Sequence, residues 1–124
     1  MKLTELPVFA ELPSILESVQ KNQVTLLTAT PGSGKTLLVA PHLIKNTDLR
    51  IAMLQPRRIA AKLSSDAIGK FNNWQVGEDV GLIMKNTYKM GKKTRLTIMT
   101  EGVLSRMLSA GEVQKRYDLS LIHI

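Results

Sequence analysis

Cysteine is absent from the 124 residues. Its absence excludes disulfides and thiolate metal sites, and it suits a reducing compartment without establishing one. No apolar run approaches the roughly 20 residues of a membrane-spanning helix. Glu5, Pro7 and Glu11 interrupt what would otherwise be the apolar core of a signal peptide. The default location read from the sequence is therefore cytoplasmic. Aromatics are scarce at 4% of residues, with a single tryptophan, so stacking on a base would fall mainly to Trp74. A lone aromatic in a polar loop more often pins that loop to the body of the protein. Acidic residues are also few, 10 against 17 lysines and arginines, which leaves a net charge of +7. That balance suits a partner bearing phosphates and says nothing about fold. The two histidines, His42 and His123, have no neighbours at metal-ligand spacing. There is no internal repeat and no low-complexity tract. The hydrophobic content of 44% and charged content of 22% are those of one globular domain long enough to bury a core.

What the sequence does contain is concentrated in Thr28-Ala29-Thr30-Pro31-Gly32-Ser33-Gly34-Lys35-Thr36. This run reads as a phosphate-binding loop. A loop that wraps a triphosphate must aim several backbone N–H groups at one anion, and glycine lets the backbone turn and approach closely. An apolar strand, residues 24–28, leads in. A helix leads out, and its N-terminus adds partial positive charge. Lys35 reaches the outer phosphates in such a loop, and the hydroxyl of Thr36 ligates magnesium. Ala29 replaces the glycine of the strict pattern.

The rest of the chain alternates helical and strand-like segments. Leu12, Ile15, Leu16 and Val19 are at helical spacing over residues 12–21, with Pro13 in the first turn. The helix after the loop is expected from about Gly34 to Lys45, with Pro41 kinking or dividing it. Strands are expected at residues 50–54, 80–84, 94–100 and 119–124. A helix over residues 59–69 would bury Ile59, Leu63 and Ala67. Residues 71–79 read as irregular. A further helix carries Val103, Leu104, Met107 and Leu108, with Thr100 as its N-cap and Gly111 as its stop. Strands that are apolar on both faces and alternate with helices predict an α/β domain, a mostly parallel sheet covered by helices. Ligands of such sheets sit at the carboxyl ends of the strands, where the loops after Thr28, Leu54 and Met99 would gather.

Two of those loops carry residues suited to a sugar-phosphate chain. Gln55-Pro56-Arg57-Arg58-Ile59-Ala60-Ala61 puts two arginines at the start of a helix just past a strand, and guanidinium groups bind phosphate bidentately. Thr100-Glu101-Gly102-Val103-Leu104-Ser105-Arg106-Met107-Leu108 offers a hydroxyl and backbone N–H groups at another helix start. Each also has an ordinary structural reading, as solvated arginines or as a capped helix. Lys85, Lys89, Lys92, Lys93 and Arg95 form an acid-free basic cluster, readable as a solvated hairpin or as a nucleic-acid patch.

Together these segments resemble the DEAH-box ATP-dependent helicases of superfamily 2, and within them the bacterial HrpB type. The loop at 28–36 resembles motif I, 55–61 motif Ia and 100–108 motif Ib. Leu6-Pro7, Leu12-Pro13 and the Ile15-Leu16 helix resemble the family's lead-in. The resemblance implies a partial RecA-like P-loop NTPase fold, the beginning of the first of two motor domains. It implies that Thr30, Gly32, Ser33, Gly34, Lys35 and Thr36 hold ATP, with Lys35 and Thr36 serving hydrolysis and Thr36 ligating magnesium. It further implies that Arg57, Arg58, Thr100, Glu101 and Gly102 lie along a single strand of nucleic acid, RNA in preference to DNA. Three departures stand out. Pro41 falls about one residue late after the loop lysine. Residues 80–86 lack the aromatic and acidic residues common there. In the family a strand like 119–124 runs into an Asp-Glu-x-His box, and the sequence stops where that box would begin. The expectation is an amino-terminal piece of a helicase, over residues 1–124, with ATPase near background and poor solubility from an exposed strand edge. The alternatives are a stand-alone, non-enzymatic nucleotide- or RNA-binding module and, against motifs Ia and Ib, another phosphate-loop enzyme such as a small kinase.

Overall fold

The computed structural model describes residues 5–21 and 34–122. The strand expected at 24–28 and the loop residues Thr30, Gly32 and Ser33 lie outside them.

Five strands form one sheet: β1 (Ile51–Leu54), β2 (Val80–Met84), β3 (Thr87–Lys89), β4 (Leu96–Met99) and β5 (Leu119–Ile122), in the order β3-β2-β4-β1-β5. β2, β4, β1 and β5 run parallel, and β3 folds back antiparallel on β2. The register aligns Leu82, Ile98, Met53 and Leu121 across the sheet. Because side chains alternate along a strand, this row faces one side, and Ile83, Met99 and Ala52 face the other. Both faces are covered. On the first lie a 3-10 turn (Pro7–Glu11), α1 (Leu12–Lys21), α2 (Lys35–Asn46) and α3 (Arg58–Asn72), and Val8, Leu12, Ile15, Leu38, Leu43, Ala61 and Ile68 pack there against the strands. On the second lie α4 (Glu101–Ser109) and α5 (Glu112–Arg116), through Val103, Leu104, Met107, Val113 and Tyr117. Two-sided burial is why the strands read as unbroken apolar runs. Gly81 serves this packing, since a Cβ there would lie 2.3 Å from the Met90 sulfur that crosses the second face.

The structure corrects three expectations. α2 runs unbroken through Pro41. An internal proline costs about 3 kcal/mol, and burial of Leu38, Val39, Ala40, Leu43 and Ile44 on the same helix offsets it. The C-terminal end of α2 is also held from outside. Arg95 donates from Nη2 to the Ile44 carbonyl at 2.7 Å and from Nη1 to that of Thr47 at 2.8 Å. These bonds satisfy carbonyls that a helix end leaves without partners, and they remove Arg95 from the solvated basic cluster.

The second correction concerns α3. Ile59, Leu63 and Ala67 do share a face, but it turns outward, with Ile59 76% and Leu63 62% exposed. The buried face is Ala61, Ser65, Ile68 and Gly69. Small residues let the helix backbone lie close to β2 and β4. Ser65, fully buried, donates its hydroxyl to the Lys62 carbonyl at 2.8 Å, so its burial leaves no orphaned group. The helix closes with Asn73 in the left-handed region, φ 56°. Trp74 packs against the first core, and Lys45 Nζ lies 5.6 Å from its ring centroid. The third correction is α5, which the sequence did not announce. Gly111, at φ 70°, begins it as well as following α4.

Candidate functional site

Parallel alignment fixes what meets at the carboxyl edge. Leu54 is level with Met99, and Met99 with Ile83. The residues that follow these strands therefore emerge side by side. The Gln55 N–H donates to the Met99 carbonyl at 2.9 Å, and the Thr100 N–H to the Ile83 carbonyl at 3.3 Å. One edge thus collects Gln55 to Arg58 from β1, Thr100 to Gly102 from β4, and Lys85 from β2.

Arg57 stands at the N-cap of α3 in extended backbone, and Arg58 is the first helical residue. Both are exposed. Arg58 Nη1 donates to the Lys85 carbonyl at 2.6 Å. Arg57 makes no side-chain hydrogen bond or ion pair among the described residues. Thr100 occupies the N-cap of α4, as expected, but without a side-chain cap bond. Lys85, Thr100, Gly102, Val103 and Arg106 line an open cleft of about 280 Å³. Two basic residues, one threonine and the first turn of α4 contribute to its lining, which is mostly carbon, and no acidic residue lines it.

Gly102 has no atom within 4 Å of where a Cβ would sit. No steric demand of the fold requires glycine there. Glu101 is exposed in the first turn of α4, where an acid complements the helix dipole, and it does not line the cleft. Lys85 and Arg106 join the site, Lys85 having been read only as one of a basic cluster and Arg106 only as part of the 100–108 segment. For Arg106 a signal existed: it lies four residues beyond Gly102, on the same helical face. For Lys85 the signal is topological, since only the pairing of β2 with β4 brings it to Thr100.

Of the phosphate-loop residues, Gly34, Lys35 and Thr36 are described. Gly34 has φ 96° and is the N-cap of α2. A Cβ on it would also lie 2.8 Å from the Leu6 side chain, so the lead-in segment packs directly on the start of this helix. Lys35 and Thr36 are half-buried in the first turn. The far end of α2 is fastened at the amino end of β4 through Arg95, so the end carrying Lys35 points toward the carboxyl edge. Among the described residues no cluster of three acids, histidines or cysteines could hold a metal ion. Among the described residues no helix is long and apolar enough to cross a membrane.

Two pH-sensitive contacts lie at the opposite, amino end of the strands, away from the site. Asp118 accepts from the Arg50 backbone N–H and guanidinium at 2.9–3.1 Å, which lowers its carboxyl below the ordinary value of 3.8. Burial raises Tyr117 above the ordinary 10.0, and the nearby Thr97 hydroxyl opposes the shift.

No family model matches the chain. Individual proteins do. The chain is 34% identical over 108 residues to the ATP-dependent RNA helicase HrpB of Escherichia coli (strain K12), and 30% identical over 126 residues to the DExH-box ATP-dependent RNA helicase DExH6 of Arabidopsis thaliana. These alignments take in 86% and 96% of the chain, but only 13% and 10% of the relatives. A crystal structure of Escherichia coli DEAH/RHA helicase HrpB superposes with a TM-score of 0.88 at 32% identity, over 95% of this chain and 15% of that one. A second, of the E. coli DExH-box NTPase HrpB, gives 0.89 at 31% over 98% of this chain and 15% of that one. The fold is accordingly the partial RecA-like α/β type. Matched along nearly all of its length in sequence and in fold, the chain belongs to the DEAH/DExH-box ATP-dependent helicase family, as the counterpart of a short segment of its members.

Proposed function

We propose that residues 1–124 form the amino-terminal portion of the first RecA-like domain of an ATP-dependent RNA helicase, binding ATP with magnesium and the backbone of a single strand. The observation that carries this reading is the acid-free cleft at the carboxyl edge, where three parallel strands deliver Lys85, Thr100, Gly102 and Arg106 beside Arg57. Phosphate contacts of this kind position a strand without reading its sequence. Arg57, Lys85 and Arg106 supply charge to the phosphates. The Thr100 hydroxyl and the N–H groups at the start of α4 supply neutral donors. At the other end of the reading, Thr30, Gly32, Ser33 and Gly34 wrap the triphosphate, Lys35 meets its outer phosphates and Thr36 offers its hydroxyl to magnesium. Bound magnesium would neutralise charge on those phosphates.

The test is a fluorescence-anisotropy titration of a labelled 12-nucleotide RNA across salt concentrations, with the same DNA as competitor. Three cationic contacts predict that log K falls with log salt at a slope of about −2, since each phosphate contact on a single strand contributes about 0.7. Arg57→Ala lowers the slope by about one contact. Salt-independent binding, or an unchanged slope in Arg57→Ala, refutes the interface. Calorimetry with ATP-magnesium tests the nucleotide half, and binding unaffected by Lys35→Ala would refute it.

The 124 residues contain no Asp-Glu-x-His sequence, and hydrolysis in this family's chemistry needs acids to hold magnesium and orient water. The expected outcome for this polypeptide is binding with ATPase at background. RNA-stimulated turnover that is lost in Lys35→Ala would overturn that expectation.

A further inference from the structure

The two arginines of the Gln55-Pro56-Arg57-Arg58 segment are adjacent and both exposed, yet the structure uses them differently. Arg57 makes no side-chain hydrogen bond among the described residues. Arg58 sends Nη1 2.6 Å to the carbonyl oxygen of Lys85. That carbonyl belongs to the two-residue turn, Lys85 and Asn86, between β2 and β3. The β2–β3 pairing runs up to Met84 and Thr87, which close the turn at its base, and the Arg58 bond holds it from outside the hairpin. Asn86 adopts φ 65°, the left-handed conformation that asparagine supplies to tight turns. The turn carries Lys85, which lines the cleft together with Thr100, Gly102, Val103 and Arg106.

We propose that Arg58 is a positioning residue. It acts through Lys85, clamping the β2–β3 turn to the start of α3 so that the Lys85 ammonium is held over the cleft, and it is not itself a phosphate ligand. A guanidinium suits this task, since its planar donor fork reaches a carbonyl from a helix N-terminus without a companion acid. One consequence is specific. A segment 27 residues away in sequence would set the position of a cleft cation, so the two loops would act as one unit. The inference rests on the nucleic-acid reading for its functional meaning, but its structural half stands without a ligand.

The experiment has two arms, both on the 124-residue chain. In the free protein, amide hydrogen exchange is measured at residues 85–88 in the parent, Arg57→Ala, Arg58→Met and Arg58→Lys. Arg58→Met keeps the aliphatic stem and removes the donors. The expected result is exchange at least tenfold faster at the turn in Arg58→Met, partial recovery in Arg58→Lys and no change in Arg57→Ala. Should Arg58→Met fail to fold, Arg58→Gln, too short to reach the carbonyl, takes its place with the same expectation. In the second arm, a labelled 12-nucleotide RNA is titrated across salt for Arg58→Met, Lys85→Ala and the double variant. If Arg58 works through Lys85, the double variant binds no more weakly than Lys85→Ala, and the salt slope falls by about 0.7 once. Additive losses with a fall of about 1.4 would make Arg58 a phosphate ligand and overturn the proposal. Unchanged exchange at the turn would overturn it too. If the parent binds no RNA at all, the nucleic-acid reading fails, and the exchange arm still decides whether Arg58 holds the turn.

Discussion

Gly102 offers a substitution whose effects on stability and binding should have opposite signs. It sits in the first turn of α4, exposed, and nothing lies within 4 Å of a methyl group added there. Glycine in a helix is about 0.5–1 kcal/mol less favourable than alanine, because it loses more backbone freedom on folding. Gly102→Ala therefore stabilises the fold by about that amount, with no clash to subtract. For a domain of this size the gain corresponds to roughly 2–4 °C in Tm. Gly102 lines the cleft with Lys85 and Arg106, so a methyl there adds bulk to its wall. On the proposed reading, a phosphate oxygen approaches the N–H groups at the start of α4, and the methyl stands in its path. Losing one hydrogen bond to a charged group costs about 1.5–3 kcal/mol, a weakening of roughly tenfold to a hundredfold. Thermal melts and RNA titrations on the same protein preparation read both effects. A more stable variant with unchanged RNA affinity would refute the placement of the strand in this cleft. A less stable variant would refute the open space around Gly102.

Three further outcomes follow from the packing and the charges. Leu63→Gln, on the outward stripe of α3, changes the free energy of urea unfolding by no more than about 0.5 kcal/mol, whereas Ile68→Ala, fully buried on the opposite face, loses about 2–5 kcal/mol; comparable losses at the two positions would show that the stripe is covered. Asp118 has a lowered folded-state pKa, so its contribution is complete above the ordinary value of 3.8 and is lost as pH falls through the lowered one; the urea midpoint of Asp118→Asn should fall less across that acid window, and an identical acid limb would discount the Arg50 contact. Tyr117 has a raised folded-state pKa, so its contribution persists up to the ordinary 10.0 and is lost as pH rises from there through the raised value; Tyr117→Phe should flatten the alkaline limb, and an unchanged limb would count against its burial as the cause.

Most helix and strand positions were legible because two-sided burial writes itself as apolar runs; the short, exposed β3 and the one-turn α5 were not. Residues 80–84, for example, were bounded in the sequence as they are in the structure. The face of α3 was not legible, for a physical reason. Its contact surface is built from Ala61, Ser65 and Gly69 around one large residue, Ile68. Close backbone approach favours small side chains, and small side chains carry little hydrophobic signal. The pattern at Ile59, Leu63 and Ala67 was real, but helical periodicity alone does not say which side the sheet is on. The strands expected at 50–54 and 94–100 are present as β1 and β4, and the loops after Leu54 and Met99 meet at their carboxyl edge. Lys85 was visible only as one member of a basic cluster. What distinguishes it from Lys89, Lys92 and Lys93 is the pairing of β2 with β4, a relation between distant segments that no local window contains.

Arg95 shows how that topology also orients the phosphate-loop helix. In the sequence it is the last cation of the basic cluster and invites the same reading as its neighbours. In the structure its guanidinium closes the C-terminal end of α2 at the amino end of β4. A helix fastened there, and packed along β1 and β4, has only one direction left for its other end. Its 12 residues extend about 18 Å back along the strands, and Gly34, Lys35 and Thr36 come out at the edge where Thr100 and Arg57 emerge. The proposed nucleotide and nucleic-acid residues thus share an edge because the strands are parallel and the helix returns against them.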